Sequence, residues 1–418
     1  MKIAELYRLY QQHYLVDTDT RKIRKNTIFF ALKGTNFNGN AFAEKAIASG
    51  ARYAVVDDAK YVTSDKMILV NDSLQTLQQL ATYHRKQLTI PFIGLTGSNG
   101  KTTSKELIAC VLRKKYTVLA THGNLNNHIG VPLTVLSVTP DTEIAVIEMG
   151  ANHQKEIAFL CAIAAPNFGY ITNFGKAHLE GFGGIEGVIK GKSELYDYLR
   201  AHKQKAFINP NDKLQVEKSA GITTISFSKN IAFVAAKPFV CVSYNNTLIT
   251  SNLIGDYNYS NIAIAICIGR YFNVDEALIQ TAIETYTPQN NRSQFIKTTF
   301  NEILLDAYNA NPSSMEVALQ NFIKIESCSK TIILGDMFEL GNDSKIEHQR
   351  IADLATSLGF DAIYFVGNFF KTITTKHPQF NTFEDLENYL KKNPLKNQHI
   401  LIKGSRGMRL ERCLDAID

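Results

Sequence analysis

The sequence lacks the clustered cysteines that a disulfide framework or a zinc site requires. The six cysteines lie far apart, never at Cys-x-x-Cys spacing, and they are Cys110, Cys161, Cys241, Cys267, Cys328 and Cys413. Several fall inside apolar runs, as Cys267 does within residues 262–268. We therefore expect reduced, mostly buried thiols in a cytoplasmic protein.

Long apolar runs and long basic runs are also missing. No segment is apolar for long enough to cross a bilayer, and the N-terminal residues lack the apolar core of a signal peptide. The net charge is +6, and the clearest basic run, Arg113-Lys114-Lys115, ends a predicted helix. We expect a cytoplasmic protein that binds small anionic molecules, without nucleic acid and without membrane insertion.

The chain has 418 residues and shows no short repeat or low-complexity linker. Residues 1–88 alternate short apolar strands with helical patterns, which predicts a small α/β domain. Residues 89–294 hold four buried strands separated by helical patterns, typical of a doubly wound, mainly parallel sheet. The β-rich stretch 222–254 is expected to extend that sheet. Residues 295–418 predict a third, Rossmann-like α/β domain.

Polar, often glycine-containing clusters follow strands in the second and third domains. Ligands of open α/β sheets bind beyond the carboxyl ends of the strands. The clusters therefore predict a site in a cleft between these two domains. They are residues 96–103, 148–153, 173–180, 306–312, 335–341 and 403–407.

The strongest local pattern is Thr96-Gly97-Ser98-Asn99-Gly100-Lys101-Thr102-Thr103, which follows a strand and opens a helix. Its glycines let backbone N–H groups cradle phosphate oxygens, Lys101 can reach the β- and γ-phosphates, and Thr102 can ligate Mg²⁺. The pattern is shorter than a full Walker A motif, because Leu95 stands where the first glycine is expected. The plain alternative is a glycine-rich turn between strand and helix.

Three further residues are candidates, each with a structural alternative. Glu148 closes an apolar strand, where P-loop enzymes place an acidic metal ligand, although a glutamate there could merely favour a helix N-terminus. His178 follows the third strand and could serve a second Mg²⁺ or polarise the substrate, although a lone histidine is usually structural. On spacing alone, Lys192 looks like a solvated helix-face lysine; in carboxylated form it would attract cations.

Together the segment 96–103, Glu148 with Gly150-Ala151-Asn152-His153, His178 and Lys192 resemble the Mur ligase family over nearly the whole chain. Residues 124–132, 306–315 and 334–341 are similar to the members that join D-Ala-D-Ala to a UDP-N-acetylmuramoyl-tripeptide. The Asp-Asn-Pro-Arg signature of the preceding ligase is absent. The resemblance implies an ATP-dependent amide ligase of peptidoglycan synthesis, acting as a monomer through an acyl phosphate.

The resemblance also implies roles for single residues. Lys101, His178 and a carbamylated Lys192 would be catalytic, and Thr102, Glu148, His178 and Lys192 would hold two Mg²⁺ ions. The residues expected to bind ATP are Gly97, Ser98, Asn99, Gly100, Lys101, Thr102, Thr103, Arg292, Asp306, Tyr308, Asn309 and Asn311, with Tyr308, Asn309 and Asn311 at the adenine or ribose.

The peptide substrates would contact residues of all three domains. In the first domain this sequence departs from the family pattern, with Thr20 for serine and Asn38 for aspartate, which puts the uridine contacts in doubt. The expected substrate contacts are Thr20, Arg21, Lys33, Gly34, Phe37, Asn38, Asn126, Asn127, Lys403, Ser405 and Arg406.

Other functions remain open at this point. Within the class, the alternatives are another Mur-type ligase or an enzyme similar to folylpolyglutamate synthase. From other classes, they are a P-loop kinase, which would need no amine, and a nucleotide-gated binding protein. The split site also predicts a domain rotation near Phe295 that excludes water from the acyl phosphate.

Overall fold

The computed structural model describes residues 1–227, 230–289, 291–327 and 329–417. The predicted α/β architecture of three domains with mainly parallel sheets is confirmed. Cys161, Cys267 and Cys413 are buried free thiols, whereas Cys110 and Cys241 are half-buried. The prediction for Cys328 lies outside the described residues. No helix in the described ranges is long and apolar enough to cross a membrane.

The N-terminal domain is built on a parallel sheet of order β1-β2-β5-β6, with β3 and β4 forming a separate hairpin. Helix α3 begins where the Asp72 side chain accepts a hydrogen bond from Gln75 N, an ordinary N-cap. The elements are α1 (Ile3–Tyr10), β1 (Val16–Asp17), β2 (Ile28–Phe30), β3 (Lys33–Gly34), β4 (Phe37–Asn38), α2 (Ala43–Ala48), β5 (Tyr53–Val56), β6 (Met67–Leu69) and α3 (Ser73–Gln87).

The central domain has a six-stranded parallel sheet of order β12-β11-β10-β7-β9-β8. Its strands are β7 (Phe92–Thr96), β8 (Val118–Ala120), β9 (Ile144–Glu148), β10 (Phe168–Ile171), β11 (Lys205–Ile208) and β12 (Thr223–Ser226). Strand β7 lies between β9 and β10, so chain connections leave it in opposite directions. This is the switch point at which open α/β sheets form their binding crevice.

The β-rich stretch behaves differently from the prediction. Strand β12 does extend the central sheet, but β13 (Ile231–Ala236), β14 (Phe239–Tyr244) and β15 (Thr247–Ile254) form a separate antiparallel sheet. The reason lies in the connections, since two-residue turns can join antiparallel neighbours only. One turn is Asn245-Asn246, both left-handed with φ of 49° and 67°. That Asn-Asn pair was a hairpin signal in the sequence.

The helices of the central domain cover both faces of its sheet. In α4 the predicted apolar face is fully buried, but the helix ends at Leu112, so the basic run Arg113–Lys115 follows it. The helices are α4 (Lys101–Leu112), α5 (Gly130–Val135), α6 (Glu156–Ala164), α7 (Leu179–Phe182), α8 (Ile185–Ala201), α9 (Lys213–Lys218), α10 (Asn258–Tyr271) and α11 (Glu276–Thr285).

The third domain has a six-stranded sheet of order β16-β17-β21-β18-β19-β20, parallel except for the edge strand β16. Because β16 begins at Gln294, this sheet includes one residue from before the predicted boundary. The elements are β16 (Gln294–Lys297), β17 (Glu302–Asp306), α12 (Pro312–Phe322), β18 (Lys330–Gly335), α13 (Ser344–Leu358), β19 (Ala362–Val366), β20 (Gln379–Phe380), α14 (Phe383–Lys392), β21 (His399–Lys403) and α15 (Cys413–Ile417).

Candidate active site

The loop between β7 and α4 has the backbone of a phosphate cradle. Gly97 has a φ of +137°, and a Cβ there would lie 2.0 Å from Thr172 Oγ1. Gly100 has a φ of +78°, and its Cβ would lie 2.8 Å from Asn261 Oδ1. Only glycine fits both positions, so backbone N–H groups and the α4 N-terminus can face a bound anion.

Lys101, the first residue of α4, folds back over this loop. Its Nζ donates to the carbonyl oxygens of Gly97 at 2.6 Å and Ser98 at 3.1 Å. Burial lowers the pKa of Lys101 to about 8; the Glu148 carboxylate opposes this, and the Arg292 cation adds to it. A bound phosphate would supply the negative charge that this ammonium lacks.

Glu148 ends β9 beside the loop and is almost fully buried. Its carboxylate accepts hydrogen bonds from Thr102 Oγ1, at 3.0 and 3.2 Å, and from Asn126 Nδ2 at 2.9 Å. Lys105 Nζ lies 3.8 Å from Oε2. Because the Thr102 hydroxyl donates its proton here, its lone pairs are free, and hard oxygen donors of this kind suit Mg²⁺. Asn126, predicted to touch substrate, therefore holds Glu148.

The first cavity, of about 570 Å³, lies between the central and third domains. It gathers residues 98–103, His178 and four predicted nucleotide contacts, namely Arg292, Asp306, Asn309 and Asn311. Asn311 Nδ2 also donates to Asn99 Oδ1 across the domains at 2.8 Å. The prediction of a cleft site between these domains agrees with this cavity.

Sequence reasoning missed the wall that the start of α10 contributes to the first cavity. Tyr257, Asn258 and Asn261 line it there, and Asn209 and Asp212 line it beyond β11. Asn261 Oδ1 accepts from Ser104 Oγ at 2.8 Å, which ties this wall to α4. The signal in the sequence was Asn-x-x-Asn at the start of an apolar helix.

Two further cavities open from the same place. The second, of about 360 Å³, is lined by Lys101, Glu148, Asn126 and Asn127, and the third, of about 270 Å³, by Phe338, Glu339, Ser405 and Arg406. His178 and Asn309 line all three cavities. Three binding spaces therefore converge on these two side chains.

His178 meets Glu339 of the third domain through Nδ1 and Oε2. Both residues have left-handed backbones, with φ of 54° and 62°. Such conformations are strained for residues with a Cβ, and they concentrate at functional sites. The hydrogen bond from His178 lowers the pKa of the Glu339 carboxyl.

Lys192 is fully buried in α8, in contrast to the solvated lysine that its spacing alone suggests. Its Nζ donates to Ala151 O at 3.0 Å and lies 4.9 Å from the centre of the Phe182 ring. Burial, reinforced by the Lys101 charge, holds the pKa of Lys192 well below its usual range. Ala151 lines the second cavity, so Lys192 lies directly behind that cavity's wall.

Two predicted residues, Tyr308 and Lys403, line other cavities than the ones expected for them, whereas Ser405 lines the third cavity. Tyr308 does not line the first cavity; the guanidinium carbons of Arg292 and Arg406 lie 3.8 and 5.0 Å from its ring centre. Lys403 is buried, pairs with Asp306 and faces the first cavity rather than the third. Ser405 Oγ accepts from Phe338 N at 2.9 Å, which fixes the loop around the third cavity.

The predicted uridine-binding residues lie on the surface of the N-terminal domain, away from these cavities. Arg21 is paired with Asp19 at 2.7 Å, and Lys33 with Asp57 at 2.8 Å. Phe37 is 54% exposed and stacks on Phe42. Asn38 caps a local turn, Thr20 is the first residue of another turn that Asp19 caps, and Gly34 pairs with Phe37 in the β3–β4 hairpin.

Family comparisons agree with this layout. Three family models match the chain: the Mur ligase family catalytic domain at residues 13–91, the Mur ligase middle domain at 95–269 and the Mur ligase glutamate ligase domain at 291–406. A P-loop domain that shares a cleft with the third domain, together with an N-terminal α/β domain, defines an ATP-dependent ligase architecture of three domains. The chain belongs to the Mur ligase family.

Individual relatives show which members of the family this chain is similar to. The chain is 34% identical to the UDP-N-acetylmuramoyl-tripeptide–D-alanyl-D-alanine ligase of Bacillus subtilis, covering 96% of this chain and 92% of that one. It is 34% identical to the ligase of the same name from Escherichia coli, covering 96% and 93%. The MurF structure from Acinetobacter baumannii matches with a TM-score of 0.85, at 28% identity over 99% of this chain and 98% of that one. MurF from Thermotoga maritima in complex with ADP matches with a TM-score of 0.83, at 27% identity over 96% of each chain.

Proposed function

We propose that this protein is the ATP-dependent ligase that joins D-Ala-D-Ala to UDP-N-acetylmuramoyl-tripeptide in peptidoglycan precursor synthesis. The observation that carries the proposal is the convergence of three cavities on His178 and Asn309. A reaction of ATP, an acid and an amine needs three binding spaces that share one centre. The relatives that match over the whole chain carry this activity in their names.

The first cavity would hold ATP, with its phosphates on residues 97–103 and its base toward Asn258 and Asn261. Asp306, Asn309 and Asn311 would complete the nucleotide site from the third domain. Arg292 reaches the first and second cavities alike, so its cation can serve both a phosphate and a carboxylate. Tyr308 is better placed to orient Arg292 than to contact the base.

Chemistry begins when the terminal carboxylate of the tripeptide attacks the γ-phosphorus of ATP, giving an acyl phosphate and ADP. Two anions must meet, and Lys101 and Arg292 provide positive charge on the path between the first two cavities. The amine of D-Ala-D-Ala then attacks the acyl carbon from the third cavity. The C–O bond breaks, phosphate leaves, and the amine nitrogen loses its proton to form the amide.

The side-chain oxygens of Thr102 and Glu148 suit Mg²⁺, which would neutralise phosphate charge when bound. Thr102 and Glu148 would hold one ion, and His178 with Lys192 would serve a second. Within the described residues, no three His, Cys, Asp or Glu side chains are grouped as a metal site. That agrees with an ion held partly by phosphate oxygens and water, as Mg²⁺ prefers.

The buried position of Lys192 suits a carbamate better than an ammonium ion. An ammonium fully buried beside Lys101 is costly, whereas a carbamate on the same nitrogen is an anion that a metal can pair with. The UDP end of the substrate would lie on the N-terminal domain, at Arg21, Lys33 and the exposed Phe37, while the third-domain loop at Arg406 would admit the dipeptide.

The deciding assay measures phosphate release from ATP with Mg²⁺ and UDP-muramyl tripeptide, with and without D-Ala-D-Ala. We expect release that depends on the dipeptide and a pentapeptide product by mass. Release without the dipeptide would indicate a kinase or ATPase. No release, together with a conformational response to ATP, would indicate a nucleotide-gated binding protein.

The carbamate has its own test in Lys192→Ala. We expect activity to fall at least about 100-fold, since charge stabilisation of the transition state is lost, and short-chain carboxylates to restore part of it. Lys190→Ala, an exposed lysine on the same helix, is the matched control. Full activity of Lys192→Ala without added carboxylate would contradict the role.

A further inference from the structure

The carboxylate of Glu339 has no part in the chemistry described so far, although this residue lines the third cavity. We infer that Glu339 binds the amine end of the incoming dipeptide and holds its nitrogen at the point where the three cavities meet. The residue would thereby place the nucleophile beside the acyl carbon. This inference rests on the proposed function and adds to it a substrate-positioning residue of the third domain.

The backbone around Glu339 fixes where its side chain lies. Its φ of 62° is left-handed, and its carbonyl oxygen accepts a hydrogen bond from Glu180 N of the central domain at 3.3 Å. The preceding residue, Phe338, donates through its backbone N–H to Ser405 Oγ at 2.9 Å. A strained conformation persists only where the surrounding structure holds it, so these contacts keep the carboxylate at the wall of the cavity.

The Glu339 carboxylate lies at the inner end of the third cavity. Its Oε2 contacts Nδ1 of His178, and His178 lines all three cavities. In the part of the chain that the structure describes, His178 is the one partner of the Glu339 side chain, which is 51% exposed. A carboxylate accepts hydrogen bonds through both of its oxygens, so Oε1 remains available to a ligand.

The charges of the third cavity match the two ends of a free dipeptide. Among the described residues that line it, Glu339 is the one acid and Arg406 the one guanidinium. A dipeptide carries an ammonium at one end and a carboxylate at the other, so each end finds an opposite charge. The reverse orientation would bring the ammonium to Arg406 and the carboxylate to Glu339, and repulsion at both ends disfavours it.

The experiment compares two nucleophiles in wild type and Glu339→Gln, at saturating ATP and UDP-tripeptide. Glutamine keeps an oxygen that can accept from His178 but loses the negative charge. We expect the KM for D-Ala-D-Ala to rise roughly tenfold or more, because a charged hydrogen bond is lost. Hydroxylamine is uncharged at neutral pH; it attacks the acyl carbon, releases phosphate and leaves a hydroxamate. Release with hydroxylamine should keep at least about half of its wild-type rate, since no ammonium has to be bound.

A second measurement uses propionyl-D-alanine, an unreactive analogue that keeps the carboxylate of the dipeptide and lacks its amine. Its inhibition constant against D-Ala-D-Ala should agree within about twofold between wild type and Glu339→Gln, because the lost charge faces no partner on this ligand. Arg406→Gln should instead weaken its binding by roughly tenfold. A KM increase for the dipeptide without a matching change for the analogue assigns Glu339 to the amine.

Glu180→Gln is the matched control, because it removes a carboxylate from an exposed position at the same interface that does not line the third cavity. It should leave the KM for D-Ala-D-Ala unchanged. If Glu339 only supports His178, Glu339→Gln lowers turnover with both nucleophiles by the same factor, and that result overturns the inference. An unchanged KM for the dipeptide overturns it as well. No tripeptide-dependent phosphate release by the wild type with either nucleophile would instead overturn the proposed function.

Discussion

The central domain meets its two neighbours in different ways. Against the N-terminal domain it presents buried apolar helices and carbonyl groups that accept buried hydrogen bonds, whereas against the third domain it presents ion pairs, amides and cavities. The first interface resembles the inside of a domain. The second resembles a surface between proteins that separate and rejoin.

The N-terminal interface is organised by α3, which packs along α5 and α6. Arg85 is buried there, donates to the carbonyl oxygens of Ala164, Ala165 and Leu88, and covers the Phe92 ring at 3.9 Å. Tyr10 Oη donates to Leu136 O at 2.8 Å. One apolar core spans the two domains around these groups, so parting the domains would expose apolar surface to water at a high cost.

The interface with the third domain depends on charges near solvent. Lys176 Nζ contacts Glu347 Oε1 at 2.6 Å, and Glu347 also accepts from Arg350 at 2.7 Å. Across the same interface, Lys176 N donates a hydrogen bond to Ser313 Oγ at 2.9 Å. Glu347 is buried, but Lys176 and Arg350 are partly exposed, so these two cations can exchange their partner for water at little cost. We propose that the third domain rotates about the Phe295 region and closes across this interface, while the first interface stays fixed.

The largest expected effect comes from breaking the fixed interface with Arg85→Ala. Three carbonyl groups and the Asn167 side chain would lose a charged donor, so the free energy of unfolding should fall by about 3–5 kcal/mol. Denaturant unfolding measures it, and Arg113→Ala, at an exposed position, should change it by less than about 0.5 kcal/mol. If Arg85→Ala lowered the free energy of unfolding by less than about 1 kcal/mol, the interface between the N-terminal and central domains would depend on other contacts.

The second largest effect is expected from acid, which should weaken the same interface between the N-terminal and central domains. His84 is buried between Tyr7 Oη and Val138 O, and burial lowers its pKa below the ordinary 6.5. As pH falls through 6.5, the unfolded chain binds a proton that the folded chain resists, so the unfolding free energy falls by up to about 1.4 kcal/mol per pH unit. The measurement is unfolding at pH 7.5 and 5.5 in wild type and His84→Gln. Equal slopes in the two proteins would remove His84 from the explanation.

The smallest effect on stability, and the sharpest on closure, is expected for Glu347→Gln. Its pKa is held below the ordinary carboxyl value by Lys176 and Arg350 despite burial, so the pairing persists above about pH 4.5 and is lost only in acid. We expect unfolding to change by less than about 1 kcal/mol, and affinity for an ATP analogue to fall roughly threefold to tenfold. Glu387→Gln, which breaks the exposed pair with Lys391, is the control. Unchanged nucleotide affinity with unchanged X-ray scattering would argue against closure at this interface.

Much of the fold could be predicted, since its strands are short apolar runs between turn residues. Strands β7, β9, β10 and β11 are the four buried strands predicted within residues 89–294. The separate β13–β15 sheet was not predicted, because a β-rich stretch does not reveal which sheet it joins. Two-residue strands such as β1 were not predicted, because two residues are too few to show an alternating apolar pattern.

The phosphate loop could be predicted because its residues are adjacent in the chain and its two glycines take the positive φ angles that such a loop needs. The placement of Tyr308 could not, because it depends on Arg292 and Arg406, which reach it from two other segments. Burial of Lys192 likewise depends on Phe182 and Ala151. Side chains whose setting comes from distant segments are the ones for which spacing alone gave the wrong expectation.

The contacts of Arg85 also fix a distance between the N-terminal domain and the phosphate loop. The residue clamps α3 onto the first residue of β7, and β7 ends at the phosphate loop. The surface proposed for uridine and the loop proposed for the γ-phosphate are thereby held at a constant separation. A substrate anchored at its uridine reaches the phosphate only if its peptide has the right number of residues. We therefore expect the fixed distance to exclude a shorter peptide before any ATP is cleaved.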